Sequence, residues 1–238
     1  MKVQVDQTVK ITKKLILYAA GLFFLALGVS ISIQAGLGVS PVSSLAYAFS
    51  LTAGLSIGIT TVLANILFIL VQIILSKRIE MKDFMIQLII AFLFGLFMDV
   101  TLFIAKLFPQ PETIVMQFIY LFISLYVVSA GLFGYFTAKL PLMPYDALTA
   151  VISEQFKWKF SKAKVRSDVI NVGVAGAICL LFIQSFGSIG IGTVIAALFI
   201  GKITGWIMDH FQKPVLLWIN QEKSSDTNEV NETEAIAK

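Results

Sequence analysis

Five residues stand out because they carry polar chemistry inside apolar sequence: Asn65, Asp99, Asp146, Asn171 and Lys202. Polar and ionisable side chains in such surroundings are expensive and are functional candidates by default. Each also has a plain structural use. Asn65 and Asn171 suit helix–helix hydrogen bonds. Asp99 and Lys202 suit a mutual ion pair, or a position near a span end from which they snorkel to water. Asp146 lies in the first turn of a short helix, where a carboxylate favours the positive end of the helix dipole; there it also offers a site for a proton or a cation.

Two short segments position this chemistry. In "QAGLGVSPVSSLAYAFS", residues 34–50, Gly36 and Gly38 permit a sharp reversal. Ser40 is an expected N-cap and Pro41 an expected first helical residue, with Ser43 and Ser44 in the first turn. In "AKLPLMPYDALTAVIS", Pro141 and Pro144 serve the same purpose, with Asp146 and Thr149 following. The short helices are expected at 40–51 and 143–155, too short to cross a bilayer. If both start near the protein centre, their N-termini converge there and favour an anionic group. A protonatable or cation-binding Asp146 points the other way, so charge selectivity stays open.

The surrounding chain is that of an integral membrane protein. Hydrophobic residues make up 58% and charged residues only 13%, against about 25% charged in soluble domains; the mean hydropathy is +0.88. Six segments are long enough to span, at 13–36, 56–76, 84–107, 113–138, 166–185 and 189–211. The expected division is a cytoplasmic tail (1–12), a first membrane repeat (13–107), a second (113–213) and a largely disordered cytoplasmic tail (214–238).

Basic residues cluster before the first span, between spans two and three (Lys77, Arg78, Lys82), between four and five, and after the sixth. The loops at 35–55, 108–112 and 186–188 have neither Lys nor Arg. Short-loop Lys/Arg bias sets orientation, so both termini are expected in the cytoplasm. A bilayer crossing by 41–53 would break this pattern; that segment is expected to re-enter the bilayer or lie at its interface. "FKWKFSKAKVR" is the most basic stretch. Its Lys157, Trp158, Lys159, Lys162, Lys164 and Arg166 are expected to anchor at an anionic inner leaflet.

The chain also repeats itself. At a shift of 103, Gly28 falls on Gly131, Ala35 on Ala138, Leu37 on Leu140, Pro41 on Pro144, Leu45 on Leu148 and Ser50 on Ser153. At a shift of 106, Asn65 falls on Asn171, Ala91 on Ala197 and Gly95 on Gly201. Each half has three crossings and one short helix, so an odd count turns the second half over. Such inverted repeats are typical of secondary transporters, with the site near the midplane.

Other chemistry finds little support. Gly54-Leu55-Ser56-Ile57-Gly58 fits the G-x-S-x-G pattern but has no preceding strand. The single histidine, His210, falls at the opposite end of its span in this topology, so an enzyme is not expected. Cys179 is the one cysteine and fits no disulfide or metal spacing; it is expected to be a buried thiol. Gly201 and Gly205 fit a close helix-packing face. No metal, cofactor or nucleic-acid partner is expected. The expected partners are the lipid bilayer and an unknown small solute, and a homo-oligomer is compatible with the sequence.

"GLGVSPVSSLAYAFS…GLSIGITTVLANILFIL" and "GSIGIGTVIAALFIGKITGW" resemble the YczE/YitT group of bacterial multi-pass membrane proteins. The resemblance rests on Gly-Leu-Gly-x-Ser-Pro, on Gly-x-Ser-x-Gly before span two, and on Gly-Ile-Gly-Thr at 190–193, and it covers residues 15–210. It implies a plasma-membrane location and little about a substrate, and it carries over no catalytic residues. Pro141-Leu142-Met143-Pro144 replaces a glycine-rich turn in the second half, so the two half-sites need not be equivalent.

The sequence therefore leads to an all-α integral membrane protein: six transmembrane helices plus two short re-entrant or interfacial helices, in an inverted repeat. The leading functional expectation is a transporter of a small solute; the alternative is a scaffold, lipid-binding or regulatory membrane protein.

Overall fold

The computed structural model describes residues 2–77 and 81–220, with side-chain surroundings from residue 7 onward. Among these residues the chain is all helical: α1 (Lys2–Ala35), α2 (Pro41–Ala53), α3 (Ile57–Ser76), α4 (Met81–Ala105), α5 (Ile114–Thr137), α6 (Pro144–Gln155), α7 (Phe160–Ile183) and α8 (Ile191–Asn220). Six of them, all but α2 and α6, are long and apolar enough to cross a membrane. Arg78 and the tail residues 221–238, with their disorder expectation, lie outside the described residues.

The packing has the symmetry of an inverted repeat. Helices α1 and α5, counterparts in the two halves, run antiparallel along one another at the centre. Glycines allow this approach: a Cβ on Gly21 would overlap the backbone of Gly131 and Tyr135, and one on Gly131 would overlap Leu25. Around this axis α4 packs on α1 as α8 packs on α5. Each short helix crosses to the other half, α2 against α7 and α6 against α3. The core lies along the α1–α5 seam, with Leu22, Ala26, Met98 and Tyr135 almost fully buried.

One equivalence fails. Helix α3 packs closely on α4, whereas α7 and α8 hardly touch. In the first half, Gly58 and Gly95 lie back to back, and a Cβ on either would overlap its partner. Asp99 closes the seam, accepting the Gly58 N–H at 2.7 Å and the Ser56 hydroxyl at 2.9 Å. At a shift of 106 the counterparts of Gly58, Gly95 and Asp99 are Lys164, Gly201 and Gly205. A long charged side chain has replaced the contact glycine and the clamping carboxylate is gone. The expected close packing at Gly201 and Gly205 is therefore corrected: a Cβ on either meets nothing within 4 Å.

Several boundaries also differ from expectation. Helix α1 begins at Lys2 rather than after a tail, and α8 runs through Pro214 to Asn220. Their ends brace one another: Lys13 Nζ donates to the Trp218 carbonyl at 2.7 Å and lies over its ring. Helix α7 starts at Phe160 rather than near 166, so Lys162 and Lys164 are helical rather than loop residues.

Candidate functional site

Both short helices begin in the middle of the bundle. Past Ala35 the chain reverses through Gly36 (φ 70°) and Gly38 (φ 94°), left-handed conformations that suit glycine. A Cβ on Gly38 would overlap the Gly190 backbone. The returning segment is held by Val39 N–H donating to the Ser188 carbonyl at 3.1 Å, and by Gly192 N–H donating to the Leu37 carbonyl at 2.7 Å. Pro41 then starts α2 beside Asn171, halfway along α7. Asn171 Nδ2 donates to the carbonyls of Pro41 (2.6 Å) and Val42 (3.2 Å). From there α2 climbs back toward Gly187, where Leu51 packs.

Helix α6 mirrors this. The Pro141 carbonyl accepts from Tyr18 Oη at 2.8 Å, and Met143 N–H donates to Tyr135 Oη at 2.7 Å. Pro144 follows at the first helical position. The two phenols come from α1 and α5, so the central helix pair itself fixes where α6 begins.

A cavity of about 470 Å³ joins these two starts. Ser40 to Ser43 of α2 line one side, and Met143, Tyr145 and Asp146 another. The remaining wall is mostly apolar, from α1, α4 and α5, and the cavity continues between the parted α7 and α8. Lys164 and Asp168 face it from α7, and Gly201, Thr204 and Gly205 from α8.

Charge is concentrated on one wall. Lys164 Nζ lies 2.9 Å from Asp146 Oδ1 and 3.9 Å from Asp168 Oδ1. Asp168 also accepts Tyr145 Oη at 2.5 Å. The ammonium sits 4.2 Å from the Tyr145 ring centroid, in cation–π range. Opposite, Thr204 Oγ1 is buried with no hydrogen-bond partner among the described residues. The network thus presents two carboxylates, one ammonium, an aromatic face and an orphan hydroxyl beside an apolar space.

The residues expected from sequence divide into three groups. Ser40, Pro41, Ser43 and Asp146 reach the cavity. Ser40 occupies the N-cap position, but its hydroxyl donates to Ser43 Oγ (3.3 Å) rather than capping a backbone N–H. Gly36, Gly38, Ser44, Pro144, Thr149 and Asn171 shape the short helices: Ser44 Oγ donates to the Pro41 carbonyl (2.7 Å), Thr149 Oγ1 to that of Tyr145 (2.9 Å), and Asn171 holds the start of α2 from outside the cavity. Asp99, Asn65 and Lys202 do not line the cavity. Asp99 clamps α3 to α4, and Asn65 donates within its own helix to Thr61 (2.9 Å). Lys202 is exposed, 5.5 Å from the Phe199 ring centroid, and does not pair with Asp99.

The anchor group needs one correction as well. Lys157, Lys159 and Lys162 are exposed, and Arg166 stacks on Trp158 at 3.6 Å. Lys164, however, turns inward to Asp146, because the helix begins early enough to aim it at α6 rather than at a headgroup. Lys164 was expected only as an anchor, Asp168 only as a residue opening span five, and Tyr145 and Thr204 were not expected at the site; all four line the cavity. The signal for Lys164 and Asp168 was a Lys–Asp pair four residues apart at the start of an apolar helix. Cys179 is buried, 3.6 Å from Ser188 Oγ. Ser56 is held as the N-cap of α3, and His210 lies against the Trp206 carbonyl.

Six spanning helices, two half-helices and a shared central cavity define a multi-pass helical membrane protein built as an inverted repeat. Residues 12–209 match the family of unknown function DUF6198, and the chain belongs to that family. It is 30% identical over 183 residues to the uncharacterised protein YyaS of Bacillus subtilis, covering 76% of this chain and 86% of that one. It is 25% identical over 187 residues to the uncharacterised membrane protein YczE of the same organism, covering 78% and 81%. An uncharacterised Haemophilus influenzae protein is 24% identical over 198 residues, covering 83% and 84%. No solved structure matches the chain.

Proposed function

We propose that this protein is a secondary transporter of a small solute in the bacterial plasma membrane. The observation that carries the reading is the 470 Å³ cavity shared by the N-terminal ends of α2 and α6, one from each half of the repeat. Half-helices meeting at the centre of an inverted repeat leave polar backbone ends available to a ligand there. The Lys/Arg distribution supports cytoplasmic termini, so the face where α1 ends is outer.

The unequal seams supply the gates. The α3–α4 seam is closed by Gly58, Gly95 and Asp99, while its counterpart between α7 and α8 is parted. Rocking one half against the other exchanges the two arrangements and exposes the cavity alternately. No catalytic step is assigned, since Ser56 and His210 are engaged separately. The test is an uptake and export screen in a deletion strain, repeated with purified protein in liposomes. A solute whose flux requires the protein and falls in an Asp146→Asn variant supports the reading. Absence of flux across solute classes, with an intact and correctly inserted protein, supports the scaffold alternative.

A further inference from the structure

We propose that the cavity binds a small primary amine with an apolar body, and that the Lys164 side chain occupies the ammonium subsite when no amine is present. The inference rests on the transport reading for its physiological use, but not for the binding itself. What a bound ammonium would need is already assembled around Lys164 Nζ: Asp146 at 2.9 Å, Asp168 at 3.9 Å and the Tyr145 ring at 4.2 Å to its centroid. Carboxylates and an aromatic face recognise a cation by charge-assisted hydrogen bonding and cation–π attraction.

Charge balance favours an amine over an anion. The charged side chains lining the cavity are two carboxylates and one ammonium, and the ammonium is already engaged. Asp146 also lies over the positive end of α6 and offsets it. A carboxylate ligand would meet two carboxylates and a single ammonium; an ammonium would meet two carboxylates that share one protein cation. The rest of the ligand is apolar by the same logic, because Leu25, Val29, Phe94, Val128 and Phe136 line the adjoining space. Thr204 adds a polar group on the facing wall: it is 7% exposed, lines the cavity, and its hydroxyl has no hydrogen-bond partner among the described residues.

Lys164 can yield the subsite. Its side chain is 27% exposed and four methylenes long, against 9% for Asp146, and the parted α7–α8 seam gives it a way out. A tethered competitor lowers apparent affinity by the fraction of time the site is free.

The experiment measures binding of phenethylamine, phenylacetate and phenethyl alcohol to the purified full-length protein, by calorimetry and thermal shift. In the native protein phenethylamine alone is expected to bind. Lys164→Met is expected to tighten it by about tenfold, as for a competitor present nine-tenths of the time, and Asp168→Asn to weaken it. The Lys164→Met effect is a gain, which misfolding does not produce; if that variant does not fold, the native comparison among the three ligands decides alone. Equal or preferential binding of phenylacetate, no binding of the amine, or weaker amine binding in folded Lys164→Met overturns the proposal. Amine binding without amine flux in liposomes keeps the subsite and removes the transport reading. Flux of another solute without amine binding does the reverse.

Discussion

Lys164 and Asp146 face one another across the join between α7 and α6, Nζ to Oδ1, at 2.9 Å. This contact fixes the start of a half-helix to the wall of the central cavity and gives that wall its charge. Removing one member leaves the other poorly solvated, which typically costs roughly 3–5 kcal/mol for a buried pair. Lys164 retains some exposure, so the lower end applies. Asp146→Asn is expected to destabilise the protein, and Lys164→Met added to it is expected to recover part of the loss. Thermal unfolding in detergent, run as a double-mutant cycle, measures the coupling.

The two glycine seams predict opposite responses to the same substitution. Gly58→Ala or Gly95→Ala drives a methyl group into the facing helix, at a cost of about 1–3 kcal/mol for overpacking. Gly201→Ala and Gly205→Ala enter open space and are expected to be neutral or slightly stabilising, since alanine favours helix over glycine by about 1 kcal/mol. Comparing the four melting temperatures checks this.

Asp99 is expected to matter for closure rather than for ligand contact. Asp99→Ala removes two hydrogen bonds to a carboxylate, each worth about 1.5–3 kcal/mol. The variant should lose stability and expose the α3–α4 seam, while ligand affinity measured on the folded fraction changes little. Cysteine crosslinking between α3 and α4 reads the seam directly.

Asn65 and Asn171 match across the repeat but predict unequal effects. Asn171→Ala leaves the Pro41 and Val42 carbonyls without its amide, at about 1–3 kcal/mol, and should loosen α2. Asn65→Ala loses an intrahelical bond to Thr61 and should cost less than about 1 kcal/mol. Hydrogen exchange over 41–53 should rise in the first variant alone.

How much of this was legible depended on the kind of signal. Span lengths come from continuous apolar runs, and the short helices announce themselves through Gly36, Gly38, Pro41 and Pro144, residues with strong backbone preferences. The repeat gave the symmetry of the packing. The role of Lys164 was hidden because counting basic residues for topology treats neighbouring lysines as equivalent, whereas the early start of α7 singles one out. Asp99 and Lys202 were ambiguous because depth along a helix does not fix direction around it. The α7–α8 separation required knowing which faces meet: Gly201-x-x-x-Gly205 has the composition of a packing motif but lacks the matching small residue on α7, where Lys164 stands in place of Gly58.

Alternating access, as proposed, requires the cavity between the short helices to open to each side of the membrane in turn. This can be read by labelling a Ser43→Cys, Cys179→Ser protein with a membrane-impermeant maleimide, applied separately to each face of oriented vesicles. Position 43 lines the cavity, and Cys179 is the sole native cysteine. Labelling is expected from the cytoplasmic face in one condition and from the outer face in another, as solutes and ion gradients are varied. Labelling confined to one face under every gradient and solute, or no labelling from either, would contradict it.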